Sequence, residues 1–247
     1  MDSKILFTSV SVVNCSKQEL EILYNTAKKF FLSNSNVDFV LFSDCAISIS
    51  GVDVINVNLE NNSTSYYALL KILSLNYINL DNYDYIFIND SDQMYVSCID
   101  SKDLLTNELY ILSHFYEIRT FDGISNWSKV LKIKDKNIKH TMGNFFGGPV
   151  KIIKELLNYC NDYWKMYKNY DYFFSQYPEE VLLMKFISEK NIKEKRLSAQ
   201  IRFENPGFMT NINAFGDLLP NIGNFKLIHN TKINMKLAQK IYEKVIR

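Results

Sequence analysis

The stretch Tyr85-Ile86-Phe87-Ile88-Asn89-Asp90-Ser91-Asp92 constrains the fold more than any other. An apolar run without polar alternation reads as a strand buried on both faces, as in a parallel sheet. It ends abruptly in two aspartates one residue apart. In open α/β sheets ligands gather at the carboxyl ends of strands, and Asp90 and Asp92 fall there. The rest of the first half agrees. Strands are predicted at Ile5–Val13, Val37–Phe42, Val52–Val57, Tyr83–Asn89 and Leu109–Ser113. Between them, Ser16-Lys17-Gln18-Glu19 opens a helix reaching about Leu32, as a capping box does. A second helix is predicted near Tyr66–Tyr77. This alternation predicts an α/β chain, a single Rossmann-like domain with a mostly parallel central sheet flanked by helices. Its 247 residues suit one undivided domain.

The second half is less regular. From Arg119 to Thr141 periodicity fades and lysines accumulate, which reads as a long loop near the site. Gly147-Gly148 ahead of Pro149 reads as a tight turn, with Pro149 in the first turn of a helix reaching about Tyr167. A helix from Pro178 to about Lys190, an irregular segment Asn205–Asn224, a strand Phe225–Ile228 and a helix from about Thr231 follow. The net charge of +1 carries no nucleic-acid footprint. Cys15, Cys45, Cys98 and Cys160 have no paired spacing, which argues against a zinc site or a disulfide framework and fits a reducing cytoplasm. The N-terminus reads as having no signal peptide, and no apolar stretch is long enough to span a bilayer. In the last helix Lys232, Lys236, Lys240 and Lys244 flank a stripe of Ile233, Leu237, Ile241 and Val245. Two readings follow: a peripheral contact with an anionic membrane, or an amphipathic helix packed on the core with a solvated lysine face.

Two carboxylates with no thiols beside them suit Mn²⁺ or Mg²⁺ carrying a phosphate group. Asp90 and Asp92 can share one ion only if the chain turns sharply at Ser91, because successive strand residues point to opposite faces. His229 is a candidate third ligand, the alternative being a satisfied histidine at a strand end. Glu179 and Glu180 lie in the first turn of the helix begun by Pro178, where the helix dipole favours carboxylates. Beyond dipole complementation, a carboxylate kept ionised there could serve as a nucleophile or stabilise an oxocarbenium-like transition state.

Several segments together resemble glycosyltransferase family six, the family of the blood-group A and B transferases and the α-1,3-galactosyltransferases, which has the GT-A fold. Asn25-Thr26-Ala27-Lys28-Lys29-Phe30-Phe31 and Phe39-Val40-Leu41-Phe42-Ser43-Asp44 are similar to its first helix and second strand. Asp84-Tyr85 precedes the Asp-x-Asp strand as it does there. Met142-Gly143-Asn144-Phe145-Phe146-Gly147-Gly148-Pro149-Val150 is close to the family's Met-Gly-Ala-Phe-Phe-Gly-Gly-Ser-Val, and Leu156 and Cys160 continue the likeness. Glu180, with Leu183, Lys185 and Phe186, fits its His-Asp-Glu-Ser-His-Leu-Asn-Lys-Tyr. The chain departs from the family at Tyr177-Pro178-Glu179-Glu180-Val181, where the family has Trp-His-Asp-Glu-Ser, and at His114-Phe115-Tyr116, a shortened His-Pro-Gly-Phe-Tyr. After Lys190 the match fades, and Leu227-Ile228-His229-Asn230 instead resembles the C-terminal metal-binding histidine of other GT-A enzymes.

The resemblance implies a retaining transferase that moves galactose or N-acetylgalactosamine from a UDP-sugar to a hydroxyl of an oligosaccharide or lipid-linked glycan, in an α linkage. Roughly residues 1–113 would bind the nucleotide and 114–247 the acceptor. Glu180 would be the catalytic carboxylate. Asp90, Asp92 and His229 would hold the metal. Phe7, Thr8, Ser9 and Val10 would hold the uracil through their backbone, with Tyr66 or Tyr67 stacking on the base. Lys71, Ser91, Met142, Gly143, Asn144, Glu179 and Lys232 would contact the donor, a solvated position being the alternative for either lysine. His114 and Tyr177 would contact the acceptor. A bacterial cytoplasmic enzyme of surface-polysaccharide assembly, with possible contact to the inner membrane, is the implied setting. The alternatives are a GT-A enzyme of another family with a different donor such as UDP-glucose, and a sugar-nucleotide-binding module without turnover.

Overall fold

Strand β1 (Lys4–Ser11) takes the middle of a sheet because both its faces are apolar. Leu6 packs on one side and Ile5 and Phe7 on the other, all fully buried. The structure, a computed structural model, describes residues 3–60, 63–113, 141–168, 178–198, 207–211, 225–229 and 235–246. The predicted alternation is present: after β1 come α1 (Lys17–Phe30), β2 (Asn36–Ser43), β3 (Asp53–Asn56), α2 (Thr64–Leu73) and β4 (Tyr85–Asp90). The Ser16 hydroxyl accepts the Glu19 N–H at 3.3 Å and caps α1. A 3₁₀ turn, Ser74–Tyr77, carries α2 on to the residue where the predicted helix ended.

Next come β5 (Gln93–Tyr95), a short α3 (Ser101–Leu104), β6 (Leu109–Ser113), β7 (Met142–Pro149), α4 (Val150–Tyr167) and α5 (Pro178–Lys190). Strands β8 (Glu194–Ser198), β9 (Gly207–Asn211) and β10 (Phe225–His229) and helix α6 (Met235–Ile246) complete the described chain. The chain is α/β, with a seven-stranded sheet in the order β3-β2-β1-β4-β7-β6-β8. Strand β7 runs antiparallel to both its neighbours, and the other pairings are parallel. Strands from both halves share this sheet. A second, three-stranded sheet orders β5-β10-β9.

Two apolar layers cover the main sheet. Helices α2, α4 and α5 bury one face against Leu6, Ile86, Ile88 and Phe146. Helix α1 covers the other, where Phe7, Phe31, Phe87, Tyr95 and Phe145 form a chain of ring contacts at 5.0–6.4 Å. Edge-to-face and offset pairs of this kind contribute about 1 kcal/mol each beyond their buried area.

Two local expectations are corrected. Gly147 and Gly148 do not form a turn. They lie inside β7, and Pro149 is the N-cap of α4 rather than part of its first turn. The glycines are needed for close approach: a Cβ on Gly147 would stand 2.4 Å from the Ile86 carbonyl oxygen and 2.5 Å from Phe87 Cδ1. Gly147→Ala is expected to cost about 3 kcal/mol, the upper end of overpacking. A urea midpoint nearly unchanged from wild type would show that β7 yields instead.

The second correction concerns the cysteines. Cys15 and Cys45 are joined as a disulfide, while Cys98 is exposed and Cys160 buried as free thiols. Helix α6 bears on the two readings of the last helix. Its Ala238 and Ile241 are fully buried against Ile22, Met94 and Ile228, with Tyr242 and Val245 packed alongside. Lys29 Nζ donates to the Val245 and Ile246 carbonyls at 3.0 and 2.8 Å, which satisfies the open C-terminal end of the helix. The described part of the apolar stripe, Ile241 and Val245, packs on protein, while Lys236, Lys240 and Lys244 stay exposed; Ile233 and the side chain of Leu237 lie outside the described residues. Among the described residues no helix is long and apolar enough to cross a membrane.

Candidate functional site

The chain runs from β1 outward to β2 and β3, then returns to β4 on the other side of β1. That reversal opens a crevice at the carboxyl ends of β1 and β4, the switch point where ligands bind in open α/β sheets. A cleft of about 270 Å³ lies there. Val10, Ser11, Val12 and Asn14 form one wall, Tyr67 and Lys71 of α2 another, and Asp90, Ser91 and Asp92 a third, with Glu19 at its edge.

Asp90 is the last residue of β4 and shares the face of Ile86 and Ile88, which meets α2. Ser91 and Asp92 form a turn before β5 begins at Gln93, so the sharp turn that lets both carboxylates reach one cleft is present. Lys71 lies one helical turn after Tyr67, on the same face of α2. Its ammonium donates to Asp90 Oδ1 at 2.6 Å and to the Gly143 carbonyl at 3.1 Å, and stands 3.4 Å from Glu179 Oε1. Burial alone would lower the Lys71 pKa, but Asp90, Glu179 and Glu180 outweigh it and hold the amine charged.

Gly143 is clamped from both ends. Its N–H donates to Glu180 Oε1 at 2.9 Å while its carbonyl accepts from Lys71. A Cβ there would lie 2.7 Å from Glu179 Oε1, so any larger residue would displace the Glu179 side chain. The adjacent glutamates differ in setting. Glu179 is 3% exposed. Burial pushes its carboxyl up to about 6, with Lys71 opposing and Glu180 and Asp90 reinforcing. Its Oε2 is buried without a hydrogen-bond partner among the described residues. Glu180 is partly exposed, and its backbone carbonyl accepts from the Thr141 hydroxyl at 3.3 Å. Of the two, Glu180 is the more exposed carboxylate, and Glu179 stands buried beside Lys71.

The first-strand expectation needs correcting. Phe7, Thr8 and Ser9 are buried inside β1, paired to β2 on one side and to β4 on the other. Their backbone groups are taken up by the ladders. Of the four residues expected to hold the base, only Val10 lines the cleft, and Ser11, Val12 and Asn14 supply the rest of that wall. Tyr67 lines it too, whereas Tyr66 is buried against Trp164 with ring centres 4.8 Å apart. Met142 packs toward the Phe7 core, and the Asn144 carbonyl accepts from Gln93 Nε2 at 2.8 Å. Gln93, just after the acidic pair and 1% exposed, ties β7 to β5 and was not anticipated. Its signal was slight: a polar residue opening a strand otherwise apolar.

Asp90 and Asp92 offer hard oxygen donors in one cleft, the donor chemistry of Mn²⁺ or Mg²⁺. His229 ends β10 and stands in register with Gln93, one residue from Asp92. The side chain of His229 lies outside the described residues. Another close cluster, Cys15, Asp44 and Cys45, brings its donor atoms within 4.8 Å of one another. With the two sulfurs bonded to each other, it presents no thiolate to a metal. Lys232, His114 and Tyr177 lie outside the described residues, as do residues 119–140 of the expected loop.

Neither a protein-family model nor a curated protein sequence matches the chain.

Proposed function

We propose that the chain is a GT-A-type glycosyltransferase that moves galactose or N-acetylgalactosamine from a UDP-sugar to a glycan hydroxyl with retention of α configuration. One observation carries the reading. Lys71, Asp90, Gly143, Glu179 and Glu180, distant in sequence, meet in one bonded cluster at the carboxyl edge of the sheet.

Breaking a sugar–diphosphate bond puts negative charge on the departing phosphate and positive charge on the sugar ring. Asp90, Asp92 and His229 would hold Mn²⁺ or Mg²⁺, which supplies charge neutralisation to the diphosphate when bound. Lys71 adds a fixed positive charge to the wall beside Asp90. The Gly143 N–H fixes Glu180 Oε1, and this carboxylate would face the sugar's reacting carbon. Glu179 keeps Lys71 in place from behind. Val10 to Asn14 and Tyr67 flank the space for the base, with Tyr67 offering a ring face. A second reading is a GT-A enzyme of another family using a donor such as UDP-glucose, favoured by His229 followed three residues later by Lys232, as in the C-terminal metal-binding segment of other GT-A enzymes. Bacterial surface-polysaccharide assembly on the cytoplasmic side is the setting that goes with either.

The test is UDP release from a panel of UDP-sugars, with Mn²⁺ and then with a chelator. Release from UDP-galactose or UDP-N-acetylgalactosamine is expected, falling at least about 100-fold with the chelator or with Asp92→Ala. Release from UDP-glucose alone selects the second reading. No release from any of them, beside an active control enzyme, sinks both.

A further inference from the structure

The wall of the cleft contains a strained turn. Val13, a β-branched residue between the cleft-lining Val12 and Asn14, has φ +67°. The Asn14 N–H donates to the Val12 carbonyl at 3.1 Å, which closes a three-residue turn around it. Turns of this kind with positive φ are rare and strained, and least suited to a β-branched residue. Such conformations persist only where their surroundings over-determine them. Burial is not what holds Val13, which is 41% exposed.

Both nearby restraints come from one place, the two residues just past β2. Asp44 Oδ1 accepts the Val13 N–H at 2.9 Å, and Cys45 is bonded to Cys15. Adjacent parallel strands bring these loops together: Ser11 and Ser43 are register partners, and the Ser43 hydroxyl donates to the Ser11 carbonyl at 2.8 Å. Both cysteines are partly exposed, so a reductant can reach them. In a reducing compartment disulfides are seldom structural and more often redox-sensing.

We propose that Cys15–Cys45 is a redox-sensitive site whose bond sets the nucleotide-binding shape of the Val12–Asn14 wall. The nucleotide part rests on the function proposed above; the release of the turn does not. A thiolate of an external dithiol attacks one sulfur and forms a mixed disulfide, while the other cysteine leaves as a thiolate and takes a proton. The reductant's second thiol then displaces the first cysteine. Two electrons and two protons end on Cys15 and Cys45, and the dithiol becomes a disulfide. With one restraint gone, Val13 relaxes to negative φ, and Val12 and Asn14 withdraw from the cleft.

The experiment compares the native chain before and after treatment with a dithiol, by amide hydrogen exchange and by UDP titration. Reduction is expected to speed exchange at Val13 at least about tenfold and to weaken UDP binding about tenfold. Val13→Gly, for which positive φ is costless, is expected to bind UDP within about twofold in both redox states. Equal Val13 exchange in the two states overturns the proposal, as does a Cys45→Ser chain that binds UDP as tightly as the oxidised native one. If exchange quickens but neither state binds UDP, the redox-held turn stands and the nucleotide reading falls.

Discussion

Glu180→Gln is expected to lower turnover of the UDP-sugar about 10³-fold while leaving unfolding free energy within about 0.5 kcal/mol of wild type. The substitution is nearly isosteric. A glutamine Oε1 can still accept the Gly143 N–H that the carboxylate accepts at 2.9 Å, so the β7–α5 contact survives. What disappears is the negative charge, which on the proposed function matters most in the transition state. The loss should therefore fall on kcat, with little change in KM. Steady-state kinetics beside a urea melt reads both halves. Turnover within about threefold of wild type would remove Glu180 from the chemistry and leave it as a strut for β7.

Lys71→Met carries the second large effect, and its size depends on pH. Lys71 is the cation between Asp90 and Glu179. Removing one partner of a buried ionic cluster costs about 3–5 kcal/mol when the remaining charge is stranded. Glu179 has an escape. Its carboxyl already sits at about 6 rather than 4.5, and Lys71 is the group that pulls it down, so the variant's Glu179 rises further. A carboxyl held above its unfolded value binds a proton in the folded chain that the unfolded chain has lost. Its contribution therefore favours folding as pH falls through the folded value and opposes it as pH rises. Lys71→Met should be destabilised by about 3 kcal/mol at pH 8 and by distinctly less at pH 5, where Glu179 is neutral. Urea melts across that range check it. A penalty independent of pH would mean that Asp90, not Glu179, bears the loss.

How much could be read beforehand depended on local pattern. Strand β4 and its aspartates were legible because a central strand buried on both faces writes an unbroken apolar run. Helix α5 was legible to its first residue because proline suits that position. Strand β5 was not, being three residues long, and β8, Glu194-Lys195-Arg196-Leu197-Ser198, hides its alternation under charge at the sheet's edge. Strand β9 fell inside a stretch read as irregular. The glycines of β7 misled because Gly-Gly-Pro usually marks a turn, and the demand for space came from β4 at Gly147 and from Glu108 and Leu109 at Gly148, distant in sequence. At the site, the spacing of Asp90 and Asp92 was local and visible. That Lys71 lies across from Asp90, and that Glu179 is buried while Glu180 is partly exposed, are facts of packing between elements. The Cys15–Cys45 bond was hidden likewise: its partners are 30 residues apart, and only the pairing of β1 with β2 makes them neighbours.

Strand β7 also sets an order of assembly. It is the last-made partner of β4, and it slots between β4 and β6 in the opposite sense. Until Met142–Pro149 has emerged from synthesis, β4 presents a row of unanswered backbone donors and acceptors along one edge, the template on which chains mispair. The first-half segment that carries the paired aspartates therefore waits on the later chain twice, once for Gly143 and Glu180 to complete the cluster and once for a strand to close its sheet.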